Sequence, residues 1–207
     1  NSKIVIAGLF TQYNGVNRSY ISLADLNGVV DLRFNTNTGA NAIINCTAIQ
    51  TDGKIIIAGN FTSYNDTIRT RIARLNSNGS VDLTFNPASG ANGAIYALAI
   101  QPDGRIIIAG DFTAYGGVSR NRIARLNVDG SIDNTFLPGT GANNSIYTVS
   151  IQSDGKILIG GAFTTFNGTT RNRIARLTTS GAFDATFSMG TGFNSTVNSL
   201  ILQLDGK

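Results

Sequence analysis

The sequence predicts an all-β fold in which one sheet unit is repeated four times along 207 residues. Repetition is the first observation, because equivalent residues recur every 51 positions without a gap, as in the series Arg18, Arg69, Arg120 and Arg171. Turn signals are the second observation, since Asp-Gly pairs follow the same spacing between short apolar runs. No helical periodicity accompanies them. The four predicted copies are residues 1–51, 52–102, 103–153 and 154–204.

Each copy contains four candidate strands. In chain order, the clearest set is AIYALAIQ (94–101), RIIIAG (105–110), RNRIARLN (120–127) and SIDNTF (131–136). The tight turns PDG and VDG join the first strand to the second and the third to the fourth. The second strand is apolar on both faces, as expected of a strand between two layers. Residues 111–119 are predicted to form a loop.

A four-stranded antiparallel sheet repeated roughly every 40–50 residues is typical of a β-propeller blade. The sequence therefore predicts a β-propeller of four 51-residue blade repeats, either a closed four-blade ring or an arc of a larger propeller. A closed ring requires residues 197–204, which match a first strand, to pair antiparallel with residues 3–8, which match a second strand. An arc of a larger propeller keeps these two ends apart. In either case the chain is expected to be a fragment of a longer protein.

Repeated positions also predict the core. Six phenylalanines are expected to be buried between blades, namely Phe61, Phe112 and Phe163 with Phe85, Phe136 and Phe187. The single cysteine, Cys46, aligns with Ala97, Thr148 and Ser199. Small residues at this position favour a buried structural role for Cys46 over a reactive thiol.

The repeats resemble a known bacterial family. The segments DGKIIIAGNFTSYN (52–65) and RTRIARLNSNGSVDLTF (69–85), with the Gly-Ala-Asn connector (90–92), are similar to the delta-60 repeat of large secreted or surface proteins. The resemblance implies a propeller fold and an extracellular or cell-surface location, and it implies no activity. The first copy departs from the pattern, because Asn1-Ser2 replaces Asp-Gly and Leu23 replaces an arginine.

Three arginines recur in the phrases RTRIARL (69–75) and RNRIARL (120–126 and 171–177). An arginine enclosed between blades needs a carboxylate or carbonyl partner, and an aspartate follows one short hairpin downstream in every copy. We expect a structural staple built from the pairs Arg74 and Asp82, Arg125 and Asp133, and Arg176 and Asp184. In the first copy Arg33 is expected to compensate for Leu23. The alternative is an arginine-lined surface for acidic or sulfated glycans.

Composition argues against catalysis and cofactors. The sequence has no His and no Glu, and its 12 acidic residues are all Asp. Most of them recur at turn positions, whereas Asp25, Asp66 and Asp111 break the repeat without an evident partner. NVDGSID (127–133) has oxygen ligands at alternate positions like a calcium loop, but a hairpin turn explains it. We expect no enzyme activity, cofactor or metal, and the evenly spread charge of +4 does not favour nucleic acid.

These observations predict a non-catalytic structural or interaction module of a secreted or cell-surface bacterial protein, serving adhesion or assembly. The expected partners are a protein or a surface glycan, together with the remaining domains of the parent chain. Membrane insertion is not expected, since no apolar run is long enough. One alternative is a lectin-like propeller with a shallow sugar site in each blade, formed by loop residues Asn92, Tyr96, Asn143 and Tyr147. Another is part of a phage or appendage fibre.

Overall fold

The computed structural model describes residues 2–203, which form short strands and turns and contain no helix. Accordingly, no helix in this part of the chain has the length and apolar character needed to cross a membrane. The prediction of an all-β fold is confirmed.

The strands fall into one partial and three complete blades. The first blade contains β1 (Lys3–Ala7), β2 (Gln12–Tyr13), β3 (Val16–Asn17) and β4 (Ile21–Asp25). The second contains β5 (Ile44–Ile49), β6 (Ile55–Gly59), β7 (Ser63–Tyr64), β8 (Thr67–Ile68) and β9 (Ile72–Leu75). The third contains β10 (Ile95–Ile100), β11 (Ile106–Gly110), β12 (Ala114–Tyr115), β13 (Val118–Ser119) and β14 (Ile123–Leu126). The fourth contains β15 (Ile146–Ile151), β16 (Ile157–Gly161), β17 (Thr165–Phe166), β18 (Thr169–Thr170) and β19 (Ile174–Leu177).

Each complete blade is an antiparallel sheet of three strands, in the orders β5-β6-β9, β10-β11-β14 and β15-β16-β19. The predicted fourth strand, residues 131–136, is reduced to a single bridge between Leu126 and Ile132. Asp133 ends it, because its Oδ1 accepts hydrogen bonds from the Thr135 backbone N–H at 2.8 Å and from the Thr135 hydroxyl at 2.7 Å. This side-chain turn bends the chain out of the sheet.

The segment predicted as a loop, residues 111–119, contains the two-residue hairpin β12–β13. Gly116 and Gly117 have φ values of 55° and 81°, which suit the tight turn of such a hairpin. The buried Tyr115 anchors the hairpin, and its hydroxyl donates to the carbonyl of Gly130 at 2.8 Å. The second and fourth blades contain the same small hairpin.

The blades converge on their first strands. The strand β10 contacts both β5 and β15, so the first strands line the inner side of the molecule. Side chains of the second strands alternate between two interfaces, because Ile106 and Ile108 pack towards the second blade whereas Ile107 and Ala109 pack towards the fourth. Apolar cores therefore lie between the blades, and every second strand needs apolar residues on both faces.

The phenylalanine prediction is confirmed at five of six positions. Phe61, Phe85, Phe112, Phe136 and Phe163 are fully buried. Phe187 is half-buried, because residues 2–203 place no further blade against its outer side.

The closed ring is wrong, and the blades form an open arc. Among residues 2–203, β1 pairs with β4 alone and residues 197–203 form no strand. Those residues lie against the fourth blade, since the N–H of Val197 donates to Gly161 O and that of Leu200 to Thr148 Oγ1, both at 3.1 Å. The last residue of the predicted end strand, Leu204, lies outside the described residues.

Candidate functional site

Two faces of the arc are defined by its loops. The upper face carries the segments from second to third strands, such as residues 60–71 and 111–122, together with the ends of the connections between blades. The lower face carries the tight turns, such as residues 50–54 and 76–80. The predicted staple residues lie towards the lower face, whereas the predicted ligand residues lie at the upper face.

Within each predicted staple pair the two side chains are in contact. In the third blade, Arg125 Nε lies 2.7 Å from Asp133 Oδ2, and Arg125 Nη2 donates to the Thr135 hydroxyl at 3.1 Å. The guanidinium also lies over the Phe136 ring, 5.1 Å from its centroid. The second blade repeats this arrangement, with Arg74 Nε 2.7 Å from Asp82 Oδ2.

The arginines also connect neighbouring blades. Arg74 Nη1 donates to the carbonyl of Val128 in the third blade at 2.7 Å, and Arg125 Nη1 donates to that of Thr179 in the fourth at 2.6 Å. Both side chains are only 7% exposed. One guanidinium thus satisfies a carboxylate in its own blade and a turn carbonyl in the next. This connection was not predicted, because sequence spacing does not show which turn of the next blade lies within reach.

A second cation reaches each staple aspartate from the start of the second strand. Lys54 Nζ lies 2.8 Å from Asp82 Oδ2, and Lys156 Nζ lies 3.3 Å from Asp184 Oδ2. Burial alone would raise the pKa of Asp82, but hydrogen bonds from Lys54, Thr84 and Arg74 hold it below its usual range. Burial likewise opposes ionisation of Asp133, yet bonds from Thr135 and Arg125 lower its pKa to about 2.

The first blade shows what happens without the arginine. Leu23 has no group that could donate a hydrogen bond to the turn of the next blade, and a hollow of about 520 Å³ lies there, lined by Leu23, Asp31 and Ser77. Ser77 is the repeat equivalent of Val128, which accepts the arginine one blade later. Lys3 contacts Asp31, and Arg33 Nε lies 3.2 Å from it, but Arg33 is 83% exposed and does not fill the hollow.

At the upper face, Asn92 and Asn143 fix loops. Asn92 Oδ1 accepts hydrogen bonds from the N–H groups of Thr113 and Ala114, at 2.8 and 2.9 Å, and its Nδ2 donates to the Thr113 hydroxyl. Asn143 makes the same bonds to Thr164 and Thr165. Their amides are therefore already used internally, which argues against the predicted amide contacts to a sugar.

Tyr96 and Tyr147 come together at the inner ends of this face. They occupy the second positions of β10 and β15, and their ring centroids are 5.2 Å apart with a 45° angle between the planes. Both rings are half-buried. This contact between adjacent blades was not predicted, because each tyrosine was expected to act together with the asparagine of its own copy.

Asp111 was expected to have no evident partner, and the structure corrects this. Arg122 Nη1 lies 2.7 Å from Asp111 Oδ1, and the hydroxyl of Ser145 in the next blade donates to the same oxygen at 2.9 Å. Arg122 has a φ of 69°, so it lies outside the third strand and faces the end of the second. The signal was present, because Asp111 directly follows the second strand and Arg122 directly precedes the third.

Two polar hollows recur on the upper face one repeat apart. The first, of about 400 Å³, is lined by Asn121, Arg122 and Thr140 among others. The second, of about 310 Å³, is lined by the equivalent Asn172, Arg173 and Thr191. They are shallow, and their position is the one expected of a binding surface that repeats with the blades.

The remaining candidates act as structural groups. In the calcium-like loop, Asp129 Oδ1 accepts from the Ser131 N–H and hydroxyl, at 2.9 and 2.6 Å, which forms a hairpin turn. Within residues 2–203, no cluster of three or more potential metal ligands occurs. Cys46 packs against the apolar core, and burial raises the pKa of its thiol to about 12.

Comparison with solved structures shows the same fold in other proteins. The WD40 β-propeller domain of Doa1 matches with a TM-score of 0.62 and 16% identity, over 90% of this chain and 52% of that one. A chain of the mitotic checkpoint complex matches with a TM-score of 0.51 and 13% identity, over 90% and 63%. A streptogramin B lyase matches with a TM-score of 0.49 and 21% identity, over 79% of this chain and 46% of that one. The chain thus spans about half the length of the first of these propellers.

A search among curated proteins finds no match. The sequence profile described as "Domain of unknown function (DUF5122) beta-propeller" matches residues 1–34, 50–85, 101–136 and 152–187. These four matches cover most of the chain, and the last three contain the staple residues of the second, third and fourth blades. The chain therefore belongs to the DUF5122 beta-propeller family.

Proposed function

We propose that the chain is a non-catalytic interaction module, a rigid propeller arc that presents its upper-face loops to a protein or a surface glycan in adhesion or assembly. One observation carries the proposal: in the three complete blades the upper-face loops are held in place by the same asparagine bonds but differ in sequence. The loop NFTSYNDTI (60–68) becomes DFTAYGGVS (111–119) and AFTTFNGTT (162–170), whereas IARL is kept in all three third strands. Fixed loops of variable sequence on a constant scaffold are typical of binding surfaces.

Two further observations support this function. The staple carboxylates have lowered pKa values, so they serve as permanent anions in ion pairs and not as proton carriers near neutral pH. The resemblance of residues 52–65 and 69–85 to the delta-60 repeat supports a secreted or cell-surface location within a longer bacterial protein.

A matched pair of substitutions tests the proposal. Thr140→Arg adds a bulky charge to an exposed position in an upper-face hollow, and Thr51→Arg adds the same group to an exposed position in a lower-face turn. The fluorescently labelled chain is titrated onto intact bacterial cells and onto their isolated surface polysaccharide. We expect saturable binding that Thr140→Arg weakens and Thr51→Arg leaves unchanged. Equal effects of the two substitutions would contradict an upper-face binding surface.

The two repeated hollows favour a second candidate function, a lectin-like propeller with one shallow sugar site per blade. In that case, isothermal titration with the isolated polysaccharide gives several equivalent sites per chain. The same experiment distinguishes this candidate from an interaction module with a protein partner, which takes up no polysaccharide.

A further inference from the structure

One cluster on the upper face departs from the repeat. We infer that Tyr96, Tyr147 and Asp111, positioned by Arg122 and Ser145, form a single carbohydrate site in each chain, which takes a neutral pyranose ring. This inference rests on the glycan-binding alternative above and changes it in one respect. It replaces several equivalent sites, one per blade, by one site at the boundary between the third and fourth blades.

The cluster occurs once because only one pair of blades has all of its members. One repeat earlier, the equivalents of Tyr96 and Asp111 are Asn45 and Asn60, and their amides bond to each other at 3.0 Å. One repeat later, the equivalents of Tyr147 and Asp111 are Asn198 and Ala162. The fold forms equally well around these other residues, so packing does not require the combination of two tyrosines and an aspartate.

The two tyrosines differ from three of the other four tyrosines in their hydroxyl groups; among residues 2–203 the hydroxyl of Tyr20 also makes no hydrogen bond. Tyr13, Tyr64 and Tyr115 each donate a hydrogen bond to a backbone carbonyl. Within residues 2–203, the hydroxyls of Tyr96 and Tyr147 bond to no protein group. Both residues also lie at irregularities in the strand register, between Ile95 and Ala97 and between Ile146 and Thr148. Such bulges redirect a side chain away from the sheet.

Asp111 supplies a fixed acceptor beside the two rings. Its Oδ1 is held by Arg122 at 2.7 Å and by Ser145 at 2.9 Å. Its Oδ2 makes no bond to the described residues, and the side chain is 47% exposed. The N–H of Asp111 donates to the carbonyl of Ala94, two residues before Tyr96, at 2.8 Å, and Ser145 lies two residues before Tyr147, so the carboxylate lies at the same strand ends as the two rings. The open carboxylate oxygen and the two phenol hydroxyls are therefore available to a common ligand.

The charges decide the class of ligand. Asp111 and Arg122 form an ion pair, so the site has no net charge to attract a cation or an anion. Tyrosine rings offer an apolar face to the C–H groups of a sugar, and the free hydroxyls and the carboxylate oxygen offer hydrogen bonds to its hydroxyls. A cation would gain from the ring faces, but the Arg122 guanidinium opposes it at 2.7 Å from the same carboxylate.

The test uses methyl glycosides of glucose, galactose and mannose as neutral probes and tetramethylammonium chloride as a cationic one. Binding is followed by tyrosine fluorescence, since the chain contains no Trp and six Tyr, and by saturation-transfer NMR. We expect one saturable site per chain for at least one glycoside. Tyr147→Ala and Asp111→Asn should each weaken it at least tenfold, and Asn198→Ala, at the equivalent exposed position one repeat later, should leave it unchanged.

Tyr147→Phe provides a second variant that keeps the ring and removes the hydroxyl, so the inference stays testable if Tyr147→Ala does not fold. Binding of tetramethylammonium in place of the glycosides, or no glycoside binding, would overturn the inference. Several sites unaffected by Tyr147→Phe and Asp111→Asn would also overturn it, while leaving the glycan-binding function intact. Loss of cell binding in Thr140→Arg, without any glycoside binding, would leave only the protein-binding function.

Discussion

The two faces of the arc contain the same residue types but use them differently. On the lower face, Asp133 is 5% exposed and lies between two cations, and the same arrangement recurs in the second and fourth blades. On the upper face, Asp111 is 47% exposed and bonds to one arginine, Arg122, and to one serine, Ser145. No other repeat has an aspartate at this position. One aspartate is part of the repeat and the other departs from it.

This difference is the reason for our proposal that the lower face stabilises the arc and that the upper face binds a ligand. A contact that joins blade to blade is useful at successive junctions, because each blade buries its apolar faces against its neighbours, and the arginine contact recurs from the second blade to the third and from the third to the fourth. A contact with a ligand is needed only once, so the residue that makes it can differ from its equivalents in the other repeats. Repeated polar residues in this family are therefore candidates for stability, whereas polar residues that depart from the repeat are candidates for binding.

The largest expected effect concerns the buried phenylalanines. Phe136→Ala should lower the free energy of unfolding by about 4 kcal/mol, because it opens a cavity between blades and removes the ring beneath Arg125. Phe187→Ala, the same change one repeat later, should cost clearly less, because Phe187 is only half-buried. Urea unfolding of the two variants measures the difference, and equal losses would show that burial between blades does not set the cost.

Removing a staple arginine should have the next largest effect. Arg125→Met keeps most of the apolar stem but takes a partner from buried Asp133 and from the Thr179 carbonyl. We expect a loss of about 3 kcal/mol, as for other broken buried ion pairs. Arg176→Met is the control, because Arg176 is more exposed, at 18%, and should cost less. A larger loss for Arg176→Met would contradict the connection between blades.

The fold was largely predictable because the repeat aligns residues that share one environment. Ile106 to Gly110 are buried on both faces, and the sequence showed this directly. The length of the fourth strand was overestimated. The segment SIDNTF alternates apolar and polar residues like a strand, but the Thr135 N–H donates to Asp133 Oδ1 and the strand ends there. That competition between a side chain and the sheet cannot be weighed from the pattern alone.

The candidate site was less predictable. Spacing within one copy pairs Arg125 with Asp133 correctly, because both belong to the same hairpin. The contacts between copies, such as Tyr96 with Tyr147 or Asp111 with Ser145, depend on how far one blade is rotated against the next. Sequence periodicity fixes the number of blades but not this rotation, so the upper-face cluster appeared only in the structure.

A glycine at the blade junction should have an intermediate effect. Gly130 has a φ of 88°, and an added Cβ would lie 2.8 Å from the Phe85 ring of the previous blade. Gly53 has a φ of 80° but has open space around it. Gly130→Ala should therefore cost about 2 kcal/mol and Gly53→Ala about 1 kcal/mol, since both strain the backbone but only the first also crowds the core. Thermal unfolding of the two variants compares them.

Acid should weaken the lower face through the same carboxylates. An unfolded Asp titrates near pH ~3.9, whereas Asp133 in the folded chain has a pKa of about 2. Because the folded pKa is the lower one, this stabilisation is complete above about pH 4 and is lost as the pH falls towards 2. Between about pH 4 and pH 2 the free energy of unfolding of Asp133→Asn should fall less steeply than that of the unchanged protein, as measured by urea unfolding at several pH values. If the free energy of unfolding has the same pH dependence in both proteins, Asp133 does not contribute to the acid sensitivity of the fold.

The most direct test of the contrast between the two faces compares Asp133→Ala with Asp111→Ala in urea unfolding at pH 7. Asp133→Ala leaves Arg125 buried without its carboxylate and should lower the free energy of unfolding by about 3 kcal/mol. Asp111→Ala breaks an ion pair that is open to water and should cost less than about 1 kcal/mol. Equal losses, or a larger loss for Asp111→Ala, would contradict the assignment of stability to the lower face and recognition to the upper.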